Sequence, residues 1–439
     1  MRKTPDFTLD GEEGVDQAIS YAMNAHPDNK YIRLMYTGSS IGEPYGHICH
    51  GVTKKNDVIV NKLEHLSFSQ DTNGMFVQKV VRDKIRAMLK GENTISICKN
   101  SLKDEPVKKA NVLIGKTRVF TAIPIELTIA DRLGMNDFTE EFISKQLNVN
   151  HMMSLNPHSM STIDLYKYLN KHKNCFDADY SNYDKHLSKD FMIACEDVVI
   201  NTINNIQGPH MDKYLRALFL EFRETVMLDY TTVYKTKRGN KSGISSTTII
   251  NNICNMLYNR FAFVKTTGNE SWTEYYNNVS AVYQGDDVLI TVSDAYPEFN
   301  YLTYKRVLES LGHIITPGHK EAVGEKYIGL DQAIFCQRGF IVEENNVFMP
   351  LNQKSILSPL QFSKLDWQDL RGWKELVTQL LFEACLHGQE FYDIIVQRLG
   401  TCKDDTLLSY LKPQLLESYQ TIKERYIRLY RSNKHEYYG

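Results

Sequence analysis

Residues 281–290, AVYQGDDVLI, place two adjacent aspartates between runs of apolar residues typical of β-strands. The flanking segments VSAVY and VLITV favour strands, and QGDD between them predicts a hairpin turn in which Gly285 supplies backbone freedom. Neighbouring carboxylates repel each other and resist desolvation unless a cation neutralises them. Asp286 and Asp287 therefore indicate either an exposed turn or a metal site, and other parts of the chain must decide between the two.

The composition is that of a folded chain without a large excess of either charge. The chain has 439 residues, of which 42% are hydrophobic and 24% charged, with a formal net charge of -2. This length predicts two or three subdomains. The eight cysteines show no CxxC spacing, which argues against a zinc site or a disulfide framework and favours a reducing compartment. No apolar run approaches the roughly 20 residues of a membrane span, so we expect a soluble, cytoplasmic protein.

The predicted elements alternate between helices and strands and end in a helical part. Residues 74–90 have the spacing of an amphipathic helix, and residues 172–179 form a strand that ends in acidic residues. Helices are predicted at 188–206 and 246–264, and the pattern is helical from about residue 350 onward. The chain is therefore predicted to be mixed α/β with a helical C-terminal part.

The segment DADYSNYD at 177–184 supplies further acidic residues at the end of a strand. If Asp179 lies on a strand next to Asp286 and Asp287, three carboxylates converge. Such a set suits two Mg²⁺ ions, which prefer hard oxygen ligands and, about 3.5–4 Å apart, clamp the oxygens of a phosphoryl displacement. For Asp177 alone, solvation or pairing with a nearby lysine is the favoured interpretation.

A glycine-containing loop, RGNKSG, precedes the helix that begins near residue 246. Gly239 and Gly243 predict a pliable loop, while Thr247, Asn251 and Asn255 recur at intervals of four on one helix face. Asparagine is a poor residue for a helix interior, so this face suggests a function. The alternative is a solvated polar surface.

Local positive charge is concentrated between residues 103 and 118. It suits the triphosphate of a nucleotide or a template backbone, although edge strands also carry solvated lysines. Lys320 follows a Pro-Gly turn, from which a loop could bring its ammonium to a phosphate, but a lone surface lysine is the commoner case. The basic residues of the first segment are Lys103, Lys108, Lys109, Lys116 and Arg118.

Taken in order, these motifs resemble those of the RNA-dependent RNA polymerases of positive-strand viruses, and most of all the picornavirus-like (Picornavirales) replicases. DYSNYD and SGISSTTIIN resemble the first two palm motifs, and QGDD resembles the GDD motif. FCQR at 335–338 resembles the primer-gripping hairpin. KDE…GKTR matches the basic fingers motif, and SSIGEPYG resembles the template-entry motif.

The resemblance implies an α/β (α+β) right-hand fold with fingers, palm and helical thumb. It places the fingers at residues 1–160 with an inserted segment at 200–240, the palm at 161–199 and 241–345, and the thumb at 346–439. It implies Mg²⁺ as the cofactor, with Mn²⁺ as a substitute, and RNA template, primer or product strand and nucleoside triphosphates as partners. A protein primer and other viral replication proteins are further expected partners, in membrane-associated replication complexes of the host cell cytoplasm.

The family's roles transfer to matching positions of this chain. The implied catalytic residues are Asp179, Asp286, Asp287 and Lys320, and the three aspartates are also the implied metal ligands. The implied ribose- or nucleotide-binding residues are Asp184, Ser242, Gly243, Thr247, Asn251, Lys103, Lys108, Lys109, Lys116 and Arg118. The implied primer grip consists of Phe335, Cys336, Gln337 and Arg338.

The chain departs from the family pattern at two positions, and two other functions compete with that of an RNA-dependent RNA polymerase. Gln284 stands where the family usually has Tyr, and the first arginine of the basic fingers motif is absent, so Lys108 or Lys109 would replace it. A reverse transcriptase also uses three palm aspartates, but it blocks the 2′-hydroxyl with a bulky side chain where this chain has Asp184. A catalytically inactive RNA-binding subunit is the second rival. All three carboxylates and Lys320 are present, which argues against it.

Overall fold

The computed structural model describes residues 11–26, 29–145, 150–319 and 324–432. Within these ranges no helix combines the length and the apolar character needed to cross a membrane. The strands are Ile59–Lys62 (β1), His65–Phe68 (β2), Ile97–Leu102 (β3), Val119–Ala122 (β4), Asn174–Tyr180 (β5), Val226–Asp229 (β6), Thr232–Lys235 (β7), Val279–Gln284 (β8), Asp287–Val292 (β9), Ile315–Thr316 (β10), Ile341–Glu343 (β11) and Asn346–Phe348 (β12).

The described helices are distributed along the whole chain, and those after residue 350 follow one another without strands between them. They are Gly11–Met23 (α1), Tyr45–Ile48 (α2), Thr72–Leu89 (α3), Lys109–Leu113 (α4), Ile125–Ser144 (α5), Ser161–Leu169 (α6), Tyr183–His186 (α7), Lys189–Gln207 (α8), Asp212–Arg223 (α9), Thr247–Thr267 (α10), Trp272–Asn278 (α11), Tyr301–Ser310 (α12), Gln353–Gln361 (α13), Leu370–Cys385 (α14), Gln389–Leu399 (α15), Asp405–Leu415 (α16) and Tyr419–Ser432 (α17).

The predicted hairpin is formed by β8 and β9 in a sheet of order β10-β5-β9-β8, whose pairs are all antiparallel. Nearly every residue of both strands is buried, which explains the continuous apolar runs on either side of the turn. The turn is tighter than the predicted QGDD, because Gln284 pairs with Asp287 and leaves only Gly285 and Asp286 between the strands. Gly285 has a φ of 67°, which side chains rarely adopt.

A second sheet, of order β4-β3-β6-β7, joins two distant parts of the chain. Its central pair, β3 and β6, is parallel, and the outer pairs are antiparallel. These strands come from the two segments that the sequence assigned to the fingers, 1–160 and 200–240. The boundaries of fingers, palm and thumb stay predictions.

Three hydrophobic cores hold the described elements together. The largest takes buried residues from Val15 to Ile315, and a second, built from Phe348 to Tyr430, unites the C-terminal helices. The third packs α6 and the region of β11 and β12 against the β10-β5-β9-β8 sheet, which contributes Cys175, Val282 and Leu289. The sheet that carries the acidic residues is thus covered on both faces, and polar side chains lie at the end of the sheet where the β8–β9 turn is.

Candidate active site

Three acidic residues lie at one end of the antiparallel sheet, where β5 ends and β9 begins. We call this end of the sheet the acidic edge. Ala178 of β5 pairs with Val288 of β9, so the next residues outward, Asp179 and Asp287, end up at the same end of adjacent strands. Asp286 follows in the turn. The condition set in the sequence analysis is therefore met: Asp179 and Asp287 lie on neighbouring strands, with Asp286 in the adjoining turn.

The electrostatics of this edge are unfavourable for bare carboxylates. Asp286 is exposed, yet partial desolvation by its surroundings raises its pKa, nearby Asp184 and Asp179 raise it further, and Arg118 lowers it. Among the described residues, no three His, Cys, Asp or Glu side chains are arranged as a ready set of metal ligands. The assignment of Asp179, Asp286 and Asp287 as ligands therefore stays a prediction. Their oxygen donors and mutual repulsion fit a hard divalent cation.

Asparagines of α10 hold the hairpin turn from beneath. Asn252 accepts a hydrogen bond from the Gly285 amide at 3.0 Å. Asn255 donates to the carbonyls of Gly285 and Asp286 at 3.1 and 3.2 Å, and it accepts from the Tyr180 hydroxyl. Both asparagines are completely buried. The role of Asn252 was missed from the sequence, although the Asn-rich helix was a signal for it.

The polar face of α10 is therefore not a solvated surface. Asn251, also buried, donates to Asp184 Oδ1 at 2.6 Å, and Asn240 donates to Asn251 Oδ1 at 2.9 Å. Thr247 donates its hydroxyl to the carbonyls of Lys241 and Ile244, which fixes the start of the helix. The structure thus brings together Asp184 and Asn251, as expected for two residues that bind the same group of a substrate.

Charges from several segments surround Asp184. Burial raises its pKa, while the bond from Asn251 and the charges of Lys103, Arg118 and Lys241 lower it. Lys241 was not singled out from the sequence. It is buried, its ammonium donates to the carbonyls of Arg238 and Gly239, and burial lowers its pKa to about 8.

The loop before α10 is tightly packed at Gly243, not pliable as predicted there. A Cβ at Gly243 would lie 1.9 Å from the carbonyl oxygen of Thr121, so any side chain would clash with backbone. Ser242 Oγ accepts from the Thr121 amide at 3.1 Å. The prediction of a pliable position at Gly243 was wrong, because a close approach of two backbones requires this glycine. At Gly239 a φ of 80° does use the conformational freedom of glycine.

The basic segment divides into two groups. Lys103 and Arg118 lie side by side at the ends of β3 and β4, where the Lys103 amide donates to the Arg118 carbonyl, and the Arg118 guanidinium pairs with Glu105. Lys108, Lys109 and Lys116 are exposed on the connection between these strands, which contains the unpredicted helix α4. Both residues of the first group lower the pKa of Asp184 through their positive charge.

The FCQR segment forms a tight turn in which Phe335 and Arg338 exchange backbone hydrogen bonds. Cys336 and Gln337 have φ values of 53° and 63°. The Cys336 thiol bonds to Asp287, which brings this turn against the acidic edge. Phe335 is buried, so its side chain belongs to the core.

The Arg338 side chain is engaged within the protein. Its guanidinium donates to Glu383 Oε1 at 2.6 Å and Oε2 at 3.2 Å, and to the Met349 carbonyl at 2.6 Å. With a side chain only 14% exposed, Arg338 anchors the turn to α14. The assignment of Phe335, Cys336, Gln337 and Arg338 to a primer grip stays a prediction.

Asp177 and Lys320 complete the set of predicted residues. Asp177 is buried and accepts hydrogen bonds from the amides of Gly318 and Ile334 at 2.9 and 2.8 Å, so the solvated or lysine-paired interpretation was wrong. Backbone amides satisfy its carboxylate without a cation. Lys320 lies outside the described residues, and its role stays a prediction.

A cavity of about 640 Å³ lies beside the segment SSIGEPYG. Glu43 of this segment pairs with Lys99 at 2.7 Å, and Lys55 donates to Ser39 at 2.7 Å. Burial lowers the pKa of Lys55 to about 8. Gly243 also lines the cavity, which therefore reaches the loop before α10.

Comparisons with known proteins agree with this geometry. The sequence profile described as "Viral RNA-dependent RNA polymerase" matches residues 31–403. The Nora virus replication polyprotein is 35% identical over 421 residues, covering 95% of the chain and 20% of the polyprotein. The Solenopsis invicta virus 3 polyprotein is 24% identical over 407 residues, covering 90% and 12%. The chain thus spans about a fifth of the length of the Nora virus relative.

Among solved structures, the Sicinivirus 3Dpol RNA dependent RNA polymerase superposes with a TM-score of 0.72 at 16% identity. The match covers 93% of this chain and 80% of that one. This likeness confirms the predicted right-hand polymerase fold.

Proposed function

Because the chain belongs to the viral RNA-dependent RNA polymerases, as the motifs predicted, we propose that it extends an RNA 3′ end with nucleoside triphosphates on an RNA template. We further propose that it thereby replicates a positive-strand RNA virus genome. The observation that carries the proposal is the meeting of the acidic edge with the Asp184–Asn251 pair. Asp184 is close enough to Asp286 for its negative charge to raise the pKa of the Asp286 carboxyl.

Asp179, Asp286 and Asp287 are the residues that would hold divalent cations, with Mg²⁺ favoured and Mn²⁺ as a substitute. When bound, two such ions stabilise the attacking and leaving oxygens of an in-line displacement at phosphorus. The role of the chain's own residues is to aim these carboxylates. Asn252 and Asn255 fix the turn, and the Cys336 thiol fixes Asp287.

The nucleotide would be held by groups on both sides of this edge. Lys103 and Arg118 supply positive charge for the triphosphate, and exposed Lys108, Lys109 and Lys116 extend it toward a polyanion. Asp184 and Asn251 offer an acceptor and a donor to a ribose hydroxyl.

Extension of a primed RNA template with Mg²⁺ tests the proposal. We expect ribonucleotide addition that stops when a chelator is added and returns with Mg²⁺ or Mn²⁺. Efficient use of deoxynucleotides would favour a reverse transcriptase. RNA binding without extension by either substrate would favour the inactive subunit.

Asn251→Ala is expected to lower the preference for ribonucleotides over deoxyribonucleotides by roughly tenfold or more. The substitution removes the donor to Asp184, and a hydrogen bond to a charged group contributes about 1.5–3 kcal/mol. The measurement is kcat/KM for matched ribo- and deoxynucleotides.

Asn259→Ala provides the matched control for this variant. Asn259 is an equally buried amide on the same helix, and it bonds to Tyr275 away from Asp184. Unchanged discrimination in Asn251→Ala, or an equal loss in Asn259→Ala, would contradict a sugar-reading role.

Lys320 is proposed as the general acid that protonates the departing pyrophosphate. Lys320→Leu should then slow single-turnover chemistry in rapid-quench experiments more than it weakens nucleotide binding. We also propose that the chain works in membrane-associated replication complexes and contacts a protein primer and other viral replication proteins. Fractionation of infected cells and pull-down with the separate viral proteins would test them.

A further inference from the structure

A completely buried carboxylate lies beneath the loop that leads into α10. Asp131 of α5 accepts a hydrogen bond from the Ser246 hydroxyl at 2.7 Å and one from the Ser246 amide at 3.1 Å. The Ser245 amide adds a third. All three donors come from the loop and none from the helix that carries Asp131.

Ser246 is the residue before the first turn of α10, and its own side chain does not cap the helix. A helix start leaves backbone amides without partners, and its partial positive charge favours an anion. Asp131 supplies that anion from another element, 115 residues away in sequence. Asp131 thus holds Ser245 and Ser246, which lead into α10, by a tertiary contact.

The hydrogen bonds to the Asp131 carboxylate come from the loop residues Ser245 and Ser246, while its other neighbours bond elsewhere. Arg132, next to it in the chain, directs its guanidinium to the carbonyls of Ala22 and Arg33, and contributes only a favourable charge. Tyr214 of α9 donates its hydroxyl to the Ala130 carbonyl. Burial raises the pKa of Asp131 to about 6, and the bonds from Ser246 and Ser245 oppose that rise.

We propose that Asp131 is a positioning residue for nucleotide selection, a role that rests on the proposed polymerase function. Asp131 fixes the loop at Ser246, the loop fixes the first turn of α10, and that turn sets where Asn251 meets Asp184. On the other side, Ser242 and Gly243 of the same loop rest on Thr121. The loop is therefore held at both ends. Release of one end lets Asn251 shift relative to Asp184, the residues proposed to bind the ribose hydroxyl.

Asp131→Asn and Ser246→Ala test this role with different severity. An amide at 131 keeps the size of the side chain, but it presents one oxygen to donors that previously had two. We expect both variants to raise the nucleotide KM and to lower ribose discrimination, by about tenfold for Asp131→Asn, while kcat changes less. The double variant should be no worse than Asp131→Asn alone, because both changes remove the same contact.

Tyr214→Phe is the matched control, since it removes a buried hydrogen bond to the same helix α5 without touching the loop. It should lower the melting temperature and leave KM and discrimination unchanged. Equal behaviour of Asp131→Asn and Tyr214→Phe would overturn the proposal. If Asp131→Asn does not fold, Ser246→Ala decides: unchanged KM and discrimination overturn it.

Amide hydrogen exchange separates this inference from the proposed function. Residues 244–247 should exchange faster in Asp131→Asn than in the wild type, whether or not the chain extends RNA. Faster exchange with an inactive wild-type chain would leave the loop contact standing and refute the polymerase activity. Unchanged exchange with an active wild-type chain would refute the positioning role alone.

Discussion

Asp286→Asn is expected to abolish nucleotide addition and, in the absence of divalent cations, to raise the melting temperature slightly. The loss should exceed about 10³-fold, the upper range for removal of one stabilising group in other active sites. The gain in stability follows from the raised pKa of Asp286, because partial desolvation, Asp184 and Asp179 all disfavour its charged form, and it is small because the residue is exposed. Activity and stability should therefore change in opposite directions.

The sign of the pH dependence follows from the same shift. A carboxyl whose pKa is higher in the folded state binds more protons when folded, so stability falls as pH rises from its ordinary value of 3.8 through the raised one. Asp286→Asn should flatten this part of the stability profile measured in a chelator. Mg²⁺ should raise the melting temperature of the wild type more than that of the variant.

Asp294→Asn is the control, because Asp294 is an exposed acid just beyond the other end of β9, bonded to Asn174. It should retain activity and the response to Mg²⁺. Substantial nucleotide addition by Asp286→Asn, or an identical Mg²⁺ response in both variants, would refute the assignment of Asp286 as a ligand.

The sequence predicted the elements whose pattern is local. The strands around QGDD, the strand ending at Asp179 and the helix carrying Asn251 all show their periodicity or composition within a few residues. From the residues alone the adjacency of Asp179 to the hairpin was only a condition for a metal site, and the family resemblance added the implication that the three aspartates bind metal together.

What the sequence did not predict depends on contacts between distant segments. The burial of Asp177 requires amides of Gly318 and Ile334, more than 140 residues away. The need for glycine at 243 comes from the backbone of Thr121. A local residue pattern does not show such partners. The residues next to Asp177 and Gly243 in the chain would look the same around a solvated acid or a mobile glycine.

Glu383 shows the same limitation and carries the second large effect. Its carboxylate lies between Arg338 and His158, whose Nε2 is 3.1 Å from Oε1, and it accepts from the Leu351 amide at 3.1 Å. Burial alone would raise the pKa of Glu383, but the bonds from His158 and Arg338 lower it to about 2. The network joins the turn beside Asp287 to α14.

The lowered pKa has a definite consequence in acid. The stabilisation by Glu383 is present above its ordinary pKa of 4.5 and is lost as the pH falls toward about 2. It amounts to about 3 kcal/mol, since each pKa unit corresponds to about 1.4 kcal/mol. Glu383→Gln should therefore remove part of the acid sensitivity of the C-terminal helices while lowering their stability at neutral pH.

Arg338→Met is expected to destabilise the fold by about 3–5 kcal/mol at neutral pH, because it leaves the buried Glu383 charge without its bidentate partner. Combining it with Glu383→Gln should recover part of that loss, since no uncompensated charge then remains. Lys423→Met is the control: its pair with Glu343 is partly exposed and should contribute less than about 1 kcal/mol. Urea unfolding curves measure the stability of all four variants, and equal losses for Arg338→Met and Lys423→Met would contradict the anchoring role.

Because the Cys336 thiol in the anchored turn contacts Asp287, Arg338→Met should also slow nucleotide addition under conditions where the variant remains folded.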